Sequence, residues 1–234
     1  MCGRFVGFRT LAELESYFPI DRADCAVAAN FNVAPSQEVL AIVRREGANV
    51  LEKLHWGLVP FWAKDPSIGN RLINARSETV ARKPSFRSAF KGRRCLILAD
   101  GFYEWTGPKG SRRPVYLTLP DEAPFAFAGL WETWNDKGRA EKAFTSCTIL
   151  TRAASASVRP IHHRMPVILA PEGYATWLDP ACQDVDRLTA ILQTQLLTDL
   201  VHRPVSSRVN AVRHNAADNI EPLKQDQLKF DADQ

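Results

Sequence analysis

Apolar and polar positions in this chain fall mostly into short runs of strand length, and two stretches break that rule with helical spacing. Residues 2–8 read as a short strand. Thr10-Leu-Ala-Glu13 has the form of a capping box, in which a threonine hydroxyl and a glutamate three residues on satisfy each other's backbone N–H groups. Leu11, Leu14 and Phe18 then share one face of a helix, which ends at Pro19. An irregular stretch passes through Asn30-Phe-Asn-Val-Ala-Pro35, and Glu38–Arg45 with Val50–Trp56 predicts paired strands turning at Glu46-Gly-Ala-Asn49. Residues 63–94 are the least core-like. Cys95–Asp100 is an apolar strand that Gly101–Trp105 continues, and Val115–Leu119, Phe125–Trp131, Phe144–Leu150 and Val167–Ala170 are further strands. A turn covers 106–113 and a polar loop Asn135–Lys142. The second helical stretch is Asp184–Leu200, with Leu188, Ile191, Leu192 and Leu196 on one face.

Many short strands and few helices, without an internal repeat or a low-complexity linker, predict one β-rich α+β domain over residues 1–222 and a polar, loosely ordered tail over 223–234. At 234 residues, 45% of them hydrophobic, the chain can bury a sizeable core. The net charge of +4 permits contact with a polyanion without demonstrating it. Its five cysteines, Cys2, Cys25, Cys95, Cys147 and Cys182, are odd in number and widely spaced. That pattern argues against a disulfide scaffold and a structural zinc site, and for a reducing compartment. There is no secretory pattern at the N-terminus and no apolar run of membrane length, so a cytoplasmic protein without membrane contact is expected.

Cys2 changes the picture most. Removal of Met1 would leave it with a thiol and a free α-amine on adjacent carbons, the amine with a reference pKa of about 7.7–8.0 and the thiol of about 8.5, lowered by neighbouring cations. Such a pair can trap an aldehyde as an imine and close a five-membered ring. Alternatively the amine can act as base for the thiol, as in N-terminal-nucleophile hydrolases, or Cys2 can be an inert strand residue. Asn74 is a hydrogen-bonding candidate or a simple turn residue. Arg76, two positions on, shares its face if the segment is extended, and is otherwise a solvated charge. Glu104 stands among Phe102, Tyr103 and Trp105, where loss of water suits a carboxylate to proton transfer, unless it lies on a wet edge. His162 lies in a loop bracketed by Pro160 and Pro166. Since vicinal histidines point to opposite sides of an extended chain, only one of His162 and His163 can face a given site. Basic residues from Arg71 to Arg94, interleaved with Phe86 and Phe90 and preceded by Phe61-Trp62, have the composition of a single-strand nucleic-acid surface, with rings stacking on bases.

Six segments together make the chain resemble the SRAP (SOS-response-associated peptidase) family: Met1-Cys-Gly-Arg-Phe5, Asn32-Val-Ala-Pro35, Trp56-Gly-Leu-Val-Pro60, Ile73-Asn-Ala-Arg-Ser-Glu-Thr79, Ala99-Asp-Gly-Phe-Tyr-Glu-Trp105 and Ile161-His-His-Arg-Met-Pro166. The valine-rich 205–212 segment is similar to the family's closing segment. The resemblance implies an α+β fold with barrel-like sheets and a basic groove, and a protein that binds single-stranded DNA and joins covalently to abasic sites. It implies Cys2 as nucleophile, closing a thiazolidine, Asn74 as holder of the ring or sugar, and Glu104 as acceptor of the amine's proton. His162 would be the acid/base that opens the sugar ring. Arg4 and Arg76 would hold phosphates, with Pro35, Phe61, Trp62, Arg82 and Arg87 also on the DNA. Phe61-Trp62 departs from the two tryptophans common in relatives. Removal of Met1 by the protein itself is implied as well, although an aminopeptidase could do the same. No metal and no cofactor is expected, and the molecule is expected to be a monomer, associated with the nucleoid when on DNA.

Two other classes remain open at this point. Class II glutamine amidotransferases also begin Met-Cys-Gly, but usually continue with an aliphatic residue where this chain has Arg4. A non-covalent module for modified DNA, with Cys2 inert, is the other.

Overall fold

A computed structural model of the chain describes residues 2–108, 110–136 and 139–223, without the side chains of 139–142. The chain runs β1 (Phe5–Gly7), α1 (Leu11–Tyr17), β2 (Arg22–Ala23), β3 (Asn30–Val33), β4 (Glu38–Arg45), β5 (Ala48–Trp56), β6 (Asn74–Arg76) and α2 (Arg87–Gly92). It continues with β7 (Arg94–Ala99), β8 (Gly101–Thr106), β9 (Arg113–Thr118), β10 (Phe125–Asp136), β11 (Arg139–Ala153), β12 (Arg164–Pro166) and β13 (Ile168–Leu169), and ends with α3 (Tyr174–Leu178), α4 (Val185–Thr194) and β14 (Val201–Pro204).

Two sheets result. One has five strands in the order β14-β9-β8-β1-β3. The other has nine, and along it β11-β10-β7-β4-β5 closes into a ring because β5 also pairs with β11, Cys147 opposite Trp56. These strands are covered on both faces, so their apolar runs are nearly continuous. Cys95, Ile97 and Ala99 of β7 join Phe127, Ile149 and Trp56 in a layer shared with Phe5 and Phe102 of the smaller sheet. Leu96 and Leu98 point the other way, into a layer roofed by α1, α3 and α4 through Leu14, Trp177, Leu188 and Leu192. A third cluster of Val6, Tyr103, Tyr116, Val205 and Val209 lies outside the five-stranded sheet, under the closing segment.

The capping box at Thr10 and Glu13 is formed, and the β4–β5 hairpin pairs in register from Arg45–Ala48 to Glu38–His55. Elsewhere the structure departs from the expected elements. Cys95–Asp100 and Gly101–Trp105 are not one strand but two in different sheets. Buried Asp100 makes the crossing, taking the Phe8 N–H at 2.7 Å and Arg9 Nε at 3.0 Å. Gly101 must be glycine, because a Cβ there would meet the Tyr116 ring at 2.4 Å. The expected strand 2–8 is regular only from Phe5 to Gly7, and the irregular 19–35 stretch contains β2 and β3. Of the expected loop over 135–142, Asn135 and Asp136 end β10 and 139–142 open β11, while 137 and 138 lie outside the described residues. The second helix stops at Thr194, where Leu196 and Leu197 turn to bond β13. The tail from 224 on lies outside the described residues, and the last described residue, Leu223, donates its N–H to Pro204.

The 63–94 stretch is more deeply integrated than its composition suggests. Phe86 and Phe90 do not offer rings to a ligand: they are buried, Phe90 edge-on to Trp177 at 6.1 Å. Arg94 is buried as well, its guanidinium donating to the carbonyls of Trp177, Phe90, Asp179 and Cys182.

Candidate functional site

The four residues expected to carry chemistry come from four distant segments. Cys2 leads into β1, the strand held between β3 and β8. Glu104 lies on β8, where alternation puts it on the same face as Phe102, toward the layer that contains Cys2, and puts Tyr103 and Trp105 on the opposite face. Both Cys2 and Glu104 are buried. Asn74 opens β6, a short strand parallel to β11, and its Nδ2 donates to the Cys2 carbonyl at 2.7 Å. Its Oδ1 is buried and has no hydrogen-bond partner among the described residues. Arg76 is exposed on the same face of β6 as Asn74, with Ala75 buried between them, as an extended segment requires.

His162 follows the turn after β11. Its Nδ1 accepts the Arg164 backbone N–H at 2.9 Å and lies 3.0 Å from the Arg164 carbonyl. The neutral ring therefore accepts from one backbone group, and the charged ring donates to the next. The two vicinal histidines do not diverge: because the segment turns, their rings stack at 4.4 Å. Arg164, missed as a functional residue, fixes this corner. Its guanidinium holds both carboxylate oxygens of Glu78 and the Thr151 carbonyl.

Electrostatics tie three of the four together. Burial pushes the Cys2 thiol well above its usual range, and the charge of Glu104 adds to that; the Arg4 backbone hydrogen bond works the other way. Lowering by nearby cations, the sequence expectation, does not prevail. Burial pushes the His162 imidazole down, opposed by the same Glu104. Glu104 thus acts on Cys2 and His162 at once, while Asn74 holds the backbone of Cys2.

Arg4 is held on the other side of the five-stranded sheet, with its guanidinium 5.8 Å from the centre of the Trp105 ring. Its Nη1 donates to Asn32 Oδ1 at 2.6 Å and to the Val209 carbonyl at 2.7 Å, so that nitrogen is already engaged within the protein. Asn32, which the sequence marked only as part of a matching segment, is the hub. It is buried, and its Nδ2 reaches the carbonyls of Val209, Ala211 and His214. Phe61 and Trp62 are exposed, at 55% and 46%, beyond Gly57, and Pro35 is half-buried between β3 and β4. Gly57 has φ of +140° and touches the Gly69 backbone, which fastens the start of the Phe61-Trp62 loop. Arg82 and Arg87 are exposed. Met1 lies outside the described residues. Among the described residues, no group of three or more His, Cys, Asp or Glu gathers as metal ligands, and no helix is long and apolar enough to cross a membrane.

The family profile described as SOS response associated peptidase (SRAP) matches residues 1–212. Abasic site processing protein YoqW of Bacillus subtilis is 42% identical over 225 residues, covering 94% of this chain and 99% of that protein. Abasic site processing protein YedK of Escherichia coli is 30% identical over 233 residues, covering 95% of this chain and all of the other. A solved protein from Bacteroides thetaiotaomicron has the same fold, with a TM-score of 0.84 at 21% identity over 95% of this chain and 100% of that one.

Proposed function

This chain belongs to the SOS response associated peptidase (SRAP) family, and from that premise we propose that it processes abasic sites by binding single-stranded DNA and joining Cys2 covalently to the lesion. The observation that carries the reading is the meeting of Cys2, Asn74, Glu104 and His162 from segments up to 160 residues apart, with Glu104 acting on both Cys2 and His162.

Loss of Met1 frees the Cys2 α-amine. His162 opens the deoxyribose ring, taking the anomeric hydroxyl proton and returning one to the ring oxygen, which exposes an aldehyde. Glu104 accepts a proton from the Cys2 ammonium, and the amine adds to the aldehyde carbon. Water leaves and an imine remains. The thiol then adds to the imine carbon while its proton passes to the imine nitrogen, closing a thiazolidine. One water is released and no electrons are exchanged, so the step requires no oxidant. Asn74 holds the Cys2 backbone through Nδ2, and its buried Oδ1 is an acceptor suited to a ring N–H or sugar hydroxyl. Arg76 and the exposed Phe61-Trp62 pair offer phosphate contact and stacking. Self-removal of Met1, with Glu104 and Cys2, is part of the same reading.

The test is intact-mass measurement after incubation with an abasic-site oligonucleotide. The expected product is the protein without Met1 plus the oligonucleotide less one water, and Cys2→Ala should form none while still binding the strand. A comparable adduct with Cys2→Ala refutes the nucleophile assignment.

A further inference from the structure

The position of His162 is set by its neighbour two residues on. The backbone N–H and carbonyl of Arg164 are the groups that meet His162 Nδ1, at 2.9 Å and 3.0 Å. Where the imidazole sits therefore depends on where the Arg164 backbone is held, and that backbone is anchored through its own side chain. The guanidinium forks onto both carboxylate oxygens of Glu78, the second at 2.9 Å, and its Nη2 also reaches the Thr151 carbonyl at 2.7 Å. Such a fork fixes orientation as well as distance. The Arg164 Nε is buried and has no hydrogen-bond partner among the described residues, so the anchor rests on Glu78 and Thr151.

Both anchors belong to the other half of the site. Glu78 is two residues past Arg76, on the segment that carries Asn74, and Asn74 holds the Cys2 carbonyl. The Arg164 hydrogen bond, and to a lesser degree the charge of Arg76, hold the Glu78 carboxyl below its usual range, so it stays ionised. Thr151 stands opposite Arg76 in the β6–β11 pair, where its carbonyl takes the Ser77 N–H at 2.9 Å and its hydroxyl donates to the Ala75 carbonyl at 3.4 Å. The strand that holds Cys2 and the corner that holds His162 are thus tied together through Arg164, and the charged tie is Glu78. The Arg164 side chain is only 11% exposed. Without Glu78 it would be a largely buried cation lacking its counter-charge, driven to turn toward water and to draw its backbone off His162 Nδ1.

We propose that Glu78 is a positioning residue for the ring-opening step: by clamping Arg164 it fixes His162 relative to the strand that holds Cys2. It acts through Arg164 and takes no part in the later addition of the amine and thiol. The proposal rests on the capture reading, in which His162 opens the sugar before Cys2 adds to the aldehyde.

The experiment follows adduct formation by intact mass, in single turnover, with two strands of one sequence. One carries the abasic deoxyribose, closed as a hemiacetal. The other carries its acyclic 4′-deoxy analogue, an aldehyde with no hydroxyl to close a ring. The readout is the ratio of the rate constant for the closed sugar to that for the open aldehyde, both at saturating strand. In Glu78→Gln and Glu78→Ala this ratio should fall roughly ten- to hundredfold, the scale of loss when a reacting group is displaced by about 1 Å. The strand concentration that gives half the maximal rate should move less than about threefold, because strand binding is not what Glu78 serves. In a His162→Gln background, where the ratio is already low, Glu78→Gln should lower it no further, since the two residues act as one unit. An unchanged ratio in both Glu78 variants overturns the proposal. So does an equal loss on the two strands, which marks a general disturbance of the fold, and so does a full further loss in the His162→Gln background. If the unsubstituted protein forms an adduct with neither strand, the capture reading fails and takes this proposal with it; adducts with both and a steady ratio in the variants refute this proposal alone.

Discussion

Replacing Asn32 by alanine tests how far the closing segment governs the site. Asn32 is 1% exposed and joins three parts of the chain: β3, Arg4 just after Cys2, and the 209–214 carbonyls. Its Oδ1 takes a charged N–H from Arg4 at 2.6 Å, a bond worth about 1.5–3 kcal/mol net. Its Nδ2 contacts are less costly to lose, because each carbonyl keeps another donor: Val209 keeps Arg4, Ala211 keeps the His214 N–H, and His214 keeps Asn219 Nδ2. With a small cavity added, the expected loss is about 2–4 kcal/mol, a large share of the about 5–15 kcal/mol that holds a domain of ordinary stability. Urea denaturation monitored by tryptophan fluorescence reads it, with an unchanged dependence on denaturant. Single-strand affinity should fall too, as Arg4 loses the acceptor that aims it. Asn32→Asp separates the two effects: it keeps an acceptor for Arg4 and loses the donors, so binding should survive better than in Asn32→Ala. A stability loss under about 1 kcal/mol for alanine would show that the hub is not one.

Glu104→Gln keeps the shape and removes the proton acceptor, so adduct formation followed by mass spectrometry should slow by about 10²–10⁴-fold; an unchanged rate rules out Glu104 as the base. His162 titrates below its ordinary value because it is buried, so the unfolded chain takes the proton first as pH falls. Its contribution to stability is present above about pH 6.5 and lost as pH drops through that value toward the folded pKa. Denaturation midpoints between neutral and mildly acid pH should therefore fall less steeply in His162→Gln, and identical slopes would contradict the shift. Gly57→Ala should cost about 1–3 kcal/mol, because φ is +140° and the new Cβ would lie 2.9 Å from the Gly69 carbonyl oxygen; a melting temperature equal to wild type excludes that strain.

Much of the architecture was legible before any coordinates. The β4–β5 hairpin follows from its flanking apolar runs and its Gly47 turn, and the first helix from a capping box that is local by nature. An aminothiol needs only adjacent atoms, so Cys2 could be singled out as a candidate without help from the fold. Asn74 and Arg76 could be put on one face because residues two apart in a strand share one. What could not be read shares one cause: a neighbour in space that is remote in sequence. The break at Asp100 depends on Phe8 and Arg9, some 90 residues away, and on a Tyr116 ring that leaves no room for a side chain at Gly101. Counting cations between 63 and 94 could not tell that Arg94 is spent on four carbonyls inside the protein while Arg82 faces a cavity.

The sequence by itself thus determined which groups were at hand, the strand-forming runs and the Cys2 thiol beside the N-terminus, because periodicity and covalent structure are properties of neighbours along the chain. Only the tertiary structure decided that Glu104 bears on both Cys2 and His162, that burial raises the pKa of a thiol that cations were expected to lower, and that Asn32 holds Arg4. Desolvation and Coulomb energy depend on distances through space, and those exist only once the sheets have closed on one another.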